Sequence, residues 1–556
     1  MLKNWQKISF LILTVLAFIL HPILCQSAIA QPVASDVKPG CEKKVIDIQE
    51  YGGLPFQNPE EIKSQNGLLE TTIEVKYGEN KIAGCDVKLR SYNGKLVGPT
   101  LRIQSGDTLN INLINSLPPE TNPSTPANHN KPHAFNITNF HTHGLHVSPD
   151  GNSDNVLREM APKKDLNGNS PEYPIEIKLP EIHPGGTDWY HSHFHGSTAL
   201  QVSSGMAGAL IVEGGLDRLP EIAAAKEKIF VLQQIAYNEK GELEDYDDLK
   251  PNKWQQSQRQ ITINGQIVPT IEMQPGEVQH WRFIHAGIRE GINLELRHVD
   301  DSRRIKLHEI AVDGIPLDHL DSWDRIELEP GYRSDVLVKG EPLHEGQESQ
   351  EYFLIDSPSI PEKSLMGVGE AGHILAKIVV KGSPLNMELP NDSELAAVKM
   401  KEAPADILAE EISGSQKIVF GLTCIPENCQ QTTKVNFEIN GKEFNGEPRN
   451  LTLTKVEEWI LETGKSVVPS HPFHIHVNPF QYTRIGPDNK PETIWRDTLL
   501  VSQNRPEIVK SRYTDFTGTF VLHCHILDHE DQGMMELVQI LDESKKITFL
   551  PKEENK

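Results

Sequence analysis

Residues 523–535 read HCHILDHEDQGMM, with three histidines, one cysteine and two methionines in thirteen positions. Cys524 has His523 and His525 on either side, and His529 and Met534 follow it by five and ten positions. Three other segments are comparably dense in histidine: HTHGLH at 141–146, WYHSHFHG at 189–196 and HPFHIH at 471–476. Imidazole nitrogen is a good ligand for copper, zinc, iron or nickel, and a soft thiolate beside it favours copper over a hard cation. Zinc remains chemically admissible. The chemistry these residue types offer is therefore metal chemistry.

Each segment has strand character. In an extended chain the side chains at i and i+2 share a face and i+1 points away. His141 then converges with His143, His191 with His193, His474 with His476 and His523 with His525. The same parity sends Cys524 to the opposite face from its two neighbours, and turns His471, three residues before His474, away from that pair. Cys524, His471, His529 and the Met534 thioether make a His₂Cys set with a weak axial methionine, the donor set of electron-transfer copper. A metal on Cys524 would lie one residue, through the strand, from metals on His523 and His525. Such a route suits electrons passed one at a time.

The elements that must carry these residues can be read from strand periodicity. At 556 residues the chain is long enough for two to four domains. A faint repeat recurs: GPTLRIQSGDTLNINLINSL at 98–117, INGQIVPTIEMQPGEVQHWRFIHAG at 263–287 and INGKEFNGEPRNLTLTKVEEWILET at 439–463. Alternation bounded by turn residues predicts half-buried antiparallel strands. Three such units predict three β-sandwich domains, placed at 31–218, 227–385 and 411–548. The stretches near 219–228 and 386–412, rich in Ala, Glu, Lys and Pro, read as connections or short helices.

At the N-terminus, Lys3 and Lys7 precede an apolar run from Ile8 to Leu20, and AIA at 28–30 offers a cleavage site. Residues 1–30 thus read as a signal peptide, too short an apolar run for a span, and the mature chain as exported to the periplasm or the extracellular space with no membrane span. There is no twin-arginine pair, and Leu24 disfavours lipidation at Cys25. An oxidising compartment permits disulfides, and the economical pairing is Cys41–Cys85 with Cys424–Cys429, leaving Cys524 as the odd thiol. A formal net charge of -24 argues against a nucleic-acid partner, because no cationic excess is available for phosphates.

Taken in order along the chain, the four histidine motifs and the HCH cysteine resemble those of three-domain, laccase-like multicopper oxidases. The resemblance implies an all-β fold of three cupredoxin-like Greek-key β-sandwich domains, with a trinuclear cluster between the first and third. It implies four copper ions: a type 1 copper on His471, Cys524, His529 and Met534, a type 2 copper on His141 and His474, and a type 3 pair on His143, His191 and His525 and on His193, His476 and His523. The family spacing from Cys524 selects Met534, leaving Met535 to packing. The implied reaction oxidises a donor one electron at a time at type 1 and uses four electrons to reduce dioxygen to water.

Protons must also reach the cluster, and in similar enzymes carboxylates near two of the motifs supply them. Glu530 and Asp154 are the candidates here, with Asp150 competing for the second place. Asp497, in WRDT, is a candidate for orienting a ligand histidine. His133, His146, His183 and His195 are assigned no ligand role.

The donor is less legible. The nine methionines are scattered, and Val467, Val468, Pro469 and Ser470 precede His471 where relatives that oxidise cuprous ion carry acidic residues or methionine. An apolar rim beside an exposed edge of His471 suits a phenol or an aromatic amine. The partners expected are dioxygen and such a small reducing substrate. The alternatives are a metal-ion oxidase acting on Cu(I), Fe(II) or Mn(II) in copper tolerance, and a non-catalytic copper-binding or electron-transfer protein, which would need only the Cys524 set. A monomer is expected, since two-domain relatives trimerise to assemble their clusters and a three-domain chain need not.

Overall fold

The structure is a computed structural model. It describes residues 38–542 apart from 43–45, 124, 126–128, 250–252, 254–259, 361–368, 426–433 and 465–467. The expected signal peptide, Cys429 with its expected disulfide, and Val467 lie outside the described residues.

Among the described residues six sheets form three pairs, in residues 61–213, 226–381 and 412–541. Alternation decides the layering. Thr108–Asn115 buries every second residue, so Leu109, Ile111 and Leu113 face inward. They meet Leu101, Ile103, Leu210 and Val212 of the opposing sheet in one core. Phe230, Trp281 and Phe283 pack with Ile271, Met273 and Leu354 in the second pair. In the third, Phe420 and Trp459 pack with Phe473, Leu522 and Val538. These are three cupredoxin-type β-sandwiches.

The sheets are mixed, which corrects the expectation of antiparallel pairing. The two strands of each sequence repeat enter opposite sheets and so cannot pair with each other. Thr108–Asn115, Val278–His285 and Val456–Thr463 lie parallel to Leu68–Ile82, Lys226–Gln233 and Ile412–Ile425. Their predecessors Thr100–Gln104, Thr270–Met273 and Pro448–Thr452 lie parallel to Ala207–Glu213, His373–Lys381 and Met535–Leu541. Crossing between sheets brings the chain back in the same direction, as a Greek-key path requires.

Helix is sparse. Asp392–Glu402 follows the second sandwich, its start fixed by a capping box between Asn391 and Glu394. Cys41 and Cys85 form a disulfide, and Cys524 is a buried free thiol. Among the described residues no helix is long and apolar enough to cross a membrane.

Candidate metal centre

Two edges of sheet converge on the histidines. In the first sandwich His141–His143 pairs antiparallel with Gly186–His191, setting His141 opposite His191 and His143 opposite Trp189. In the third, Ser470–Ile475 pairs with Gly518–Cys524, setting His474 opposite His523 and Phe473 opposite Cys524. His193, His476 and His525 lie just beyond the strand ends. All eight rings are buried. One nitrogen from each of His143, His191 and His525 lies within 4.8 Å of the other two, and the same holds for His193, His476 and His523 and for His141, His143 and His474.

Hydrogen bonds on the far side of the rings decide which nitrogen faces inward. His141 Nδ1 donates to Asp154 at 3.1 Å, His191 Nδ1 to the Ser192 carbonyl at 2.8 Å, His474 Nδ1 to the Asp497 carbonyl at 2.9 Å and His523 Nδ1 to the Cys524 carbonyl at 3.0 Å. Each therefore turns Nε2 inward. His143 is reversed: its Nε2 donates to Asp497 Oδ1 at 3.2 Å, and its Nδ1 faces His525 Nε2 at 3.3 Å. Burial above all, reinforced for most of the rings by neighbouring imidazoles, holds the pKa values below the usual histidine range, to about 3 for His191. The rings are neutral, which is the ligating form.

The inward nitrogens are poorly satisfied by protein. His141 Nε2, His191 Nε2 and His474 Nε2 are buried without a hydrogen-bond partner. His523 Nε2 faces His193 Nε2 at 3.0 Å and His476 Nε2 at 3.4 Å. Buried polar atoms are nearly always paired, and facing lone pairs call for a cation between them. The donor set fits bound metal.

On the other side of the Gly518–Cys524 strand, Cys524 Sγ lies 3.4 Å from His471 Nδ1 and 3.8 Å from His529 Nδ1. The short helix Leu527–Glu530 carries His529. Met534 is buried in the same core as Cys524, and its backbone donates to the His529 carbonyl at 3.0 Å while its own carbonyl accepts from Cys524 at 3.1 Å. Met535 packs elsewhere, with Val156, Val521 and Leu537. Burial raises the Cys524 thiol well above its usual value, so a thiolate here needs a cation on Sγ.

The expected exposed edge of His471 is absent. His471 is 0% exposed, with the Phe420 ring 5.4 Å away. Of the residues preceding it, Val468 and Ser470 are buried as well, and so is Val501 on the paired strand.

Both candidate carboxyls sit against the cluster. Asp154 accepts from the Thr142 backbone at 3.1 Å as well as from His141, and burial raises its pKa to about 7. Asp150 is exposed and does not share this place. Glu530 is 0% exposed, 3.9 Å from His193 Nδ1 and 3.8 Å from His195 Nδ1. Burial raises it to about 8, with the nearby Thr198 hydroxyl opposing the rise. The histidines expected to be bystanders have other bonds: His146 with Val477 and Asp515, His183 with Pro184, His133 with Lys131 and His195 with Asn130.

Residues that the sequence reading passed over complete the site. Thr498 Oγ1 donates to Asp497 at 2.8 Å and lies 3.1 Å from His474 Nδ1. Arg333, from the second sandwich, holds Asp497 through both guanidinium Nη atoms. Gly144 has φ +107°, and a Cβ there would fall 2.0 Å from Asp188 Oδ1 and 2.5 Å from Arg333 Nη2. The glycine closing HTHG was the one legible signal of that crowding. Arg289 forms a buried pair with Asp528, at 3.1 and 2.8 Å, beside His529.

Comparison with known proteins agrees with this arrangement. Sequence profiles of the multicopper oxidase family match residues 74–125, 127–216 and 422–544. A multicopper oxidase of Staphylococcus aureus is 23% identical over 500 residues, covering 86% of this chain and 90% of the relative. A laccase of Bacillus subtilis (strain 168) is 23% identical over 510 residues, covering 82% and 91%. The solved structure of a Campylobacter jejuni multicopper oxidase, described as a metallo-oxidase, superposes with a TM-score of 0.68 at 23% identity, covering 90% of this chain and 98% of that one. The chain belongs to the multicopper oxidase family. It is accordingly a copper-binding oxidoreductase that draws electrons from a reducing substrate and passes them to dioxygen.

Proposed function

We propose that the protein is an exported, monomeric, laccase-like oxidase that takes single electrons from small organic donors, phenols or aromatic amines, and reduces dioxygen to water. One observation carries the reading: Cys524 faces His471 and His529 while its neighbours His523 and His525 face six further imidazoles. In this reading His471, Cys524, His529 and Met534 hold a type 1 copper, His141 and His474 a type 2 copper, and the two sets His143, His191, His525 and His193, His476, His523 a type 3 pair. Bound copper supplies one-electron acceptance at the thiolate and delivery of electrons to dioxygen among the eight rings.

The protein's own groups do the rest. Asp154, Asp497 and the Ser192 and Cys524 carbonyls keep His141, His143, His474, His191 and His523 each in one tautomer. Glu530 and Asp154 hold protons near neutral pH beside His193 and His141, where dioxygen reduction consumes them. The covered cluster excludes bulk water.

With His471 covered, neither an aromatic donor nor a metal ion touches the ring, and the electron of either must cross the covering residues. A metal ion such as Cu(I), Fe(II) or Mn(II) is the second donor class. Dioxygen uptake by copper-loaded protein, with a phenol and with stabilised Cu(I) in parallel, separates the two. Turnover with the phenol alone is expected from the first reading. Turnover with Cu(I) alone would establish the second. Uptake with neither would leave only a copper carrier.

A further inference from the structure

We propose that Arg333 of the second sandwich is a positioning residue for the histidine cluster, acting through Asp497 on His143 and His474; this rests on the copper-cluster reading above. The second sandwich contributes none of the candidate ligands, yet its 329–335 corner, EPGYRSD, reaches the cluster. Gly331 there has φ +90°, and a Cβ on it would stand 2.9 Å from His525 Cδ2. Tyr332 Oη accepts from the Leu500 backbone at 2.7 Å, holding the corner against the third sandwich.

Two steps later Arg333 is fully buried. Its fork meets Asp497 in a bidentate pair, Nη1 to Oδ1 at 2.8 Å and Nη2 to Oδ2 at 2.6 Å. The rest of the guanidinium is engaged too. Nε donates to the Thr187 carbonyl at 3.2 Å, Nη1 to the Gly331 carbonyl at 3.0 Å, and Nη2 to the Asp313 carbonyl at 3.0 Å and Asp188 Oδ1 at 3.2 Å. Partners from all three sandwiches leave the group one orientation, and Asp497 inherits it. Asp497 Oδ1 then accepts a hydrogen bond from His143 Nε2, its carbonyl accepts one from His474 Nδ1, and Thr498 Oγ1 donates to the same carboxylate. One guanidinium thus sets two rings assigned to different coppers. Lysine would keep the charge and lose the fork. A role limited to neutralising the buried carboxylates would survive that change, whereas a positioning role would not.

The test compares copper-loaded wild type with Arg333→Lys, following copper content, the thiolate-to-copper absorption at Cys524, and the electron paramagnetic resonance of the isolated copper. The expected result is copper retention weakened about 10- to 100-fold among the histidines, the range for partners that orient ligands. The resonance signal should be lost or altered while the thiolate absorption is kept. An unchanged resonance signal at full copper loading would overturn the proposal. Should Arg333→Lys not fold, Asp497→Asn keeps the side-chain shape but replaces one acceptor oxygen. It should show the same selective loss, and wild-type signals in it would overturn the proposal. Absence of both signals from loaded wild type would instead refute the copper-cluster reading itself.

Discussion

Two of the buried polar junctions among the described residues are built in opposite ways. Where the second sandwich meets the first, Arg282 donates to Glu227 at 2.5 Å, to Asp335 at 2.8 Å, to Thr187 at 3.2 Å and to Asp217. Burial alone would raise Glu227, but Arg282 and Arg102 hold it down at about 2. Charge meets charge and the guanidinium is satisfied. Where the first and third sandwiches meet, neutral rings gather and three of their inward nitrogens have no partner. A junction evolved for cohesion closes on itself. One whose neutral ring nitrogens face a shared centre is suited to hold a cation, and that contrast marks the candidate metal site more clearly than histidine content does.

The contrast can be broken from either side. Cys524→Ser should have the largest effect, abolishing oxidase turnover and the thiolate-to-copper absorption while copper among the eight histidines remains. Metal analysis with dioxygen uptake reads both. Glu530→Gln should slow dioxygen reduction about a hundredfold, while anaerobic reduction of the Cys524 site by donor is unchanged in stopped flow. Since burial places Glu530 at about 8, wild-type turnover should fall as pH rises through that value and the proton is lost, a limb the variant lacks.

At the closed junction the consequence should be stability alone. Arg282→Met takes the guanidinium from Asp335 and leaves Glu227 with Arg102 alone, and should cost about 3–5 kcal/mol in urea unfolding, with copper content retained in the folded fraction. A purely pH-dependent effect is expected at Glu329, where burial in the second sandwich raises the carboxyl to about 8. The folded state keeps this proton between the ordinary carboxyl range and pH 8 while the unfolded chain releases it, so stability falls with rising pH across that window. Glu329→Gln should remove that slope, which is at most roughly 1.4 kcal/mol per pH unit. Paired thermal melts at pH 5 and pH 8 would show it, and a variant that tracks wild type at both would remove Glu329 from the account.

The legible part of the site was the part governed by local geometry. Cys524 opposite His523 follows from side-chain alternation in Gly518–Cys524, and it survives folding because strand parity does not depend on neighbours. The exposure of His471 was misread because exposure belongs to whatever packs over a strand, here Phe420 from a segment fifty residues upstream. Parallel pairing was missed for a related reason: alternation specifies faces, not the direction of the adjacent strand. Arg333 was passed over because PGYRSDVLV reads as an ordinary strand start, and nothing local marks an arginine whose partners arrive from Thr187 and Asp497.

The amino-acid sequence by itself determined the types of the candidate donor residues and their grouping into pairs on opposite strand faces. Those properties follow from residue type and a two-residue period along an extended chain. Only the tertiary structure decided that His193 would meet His523 across 330 positions, and that His143 would donate to Asp497 across 354. It alone buried His471. These are outcomes of how whole sandwiches dock, set by the summed packing of their faces, and no short stretch of chain carries that information.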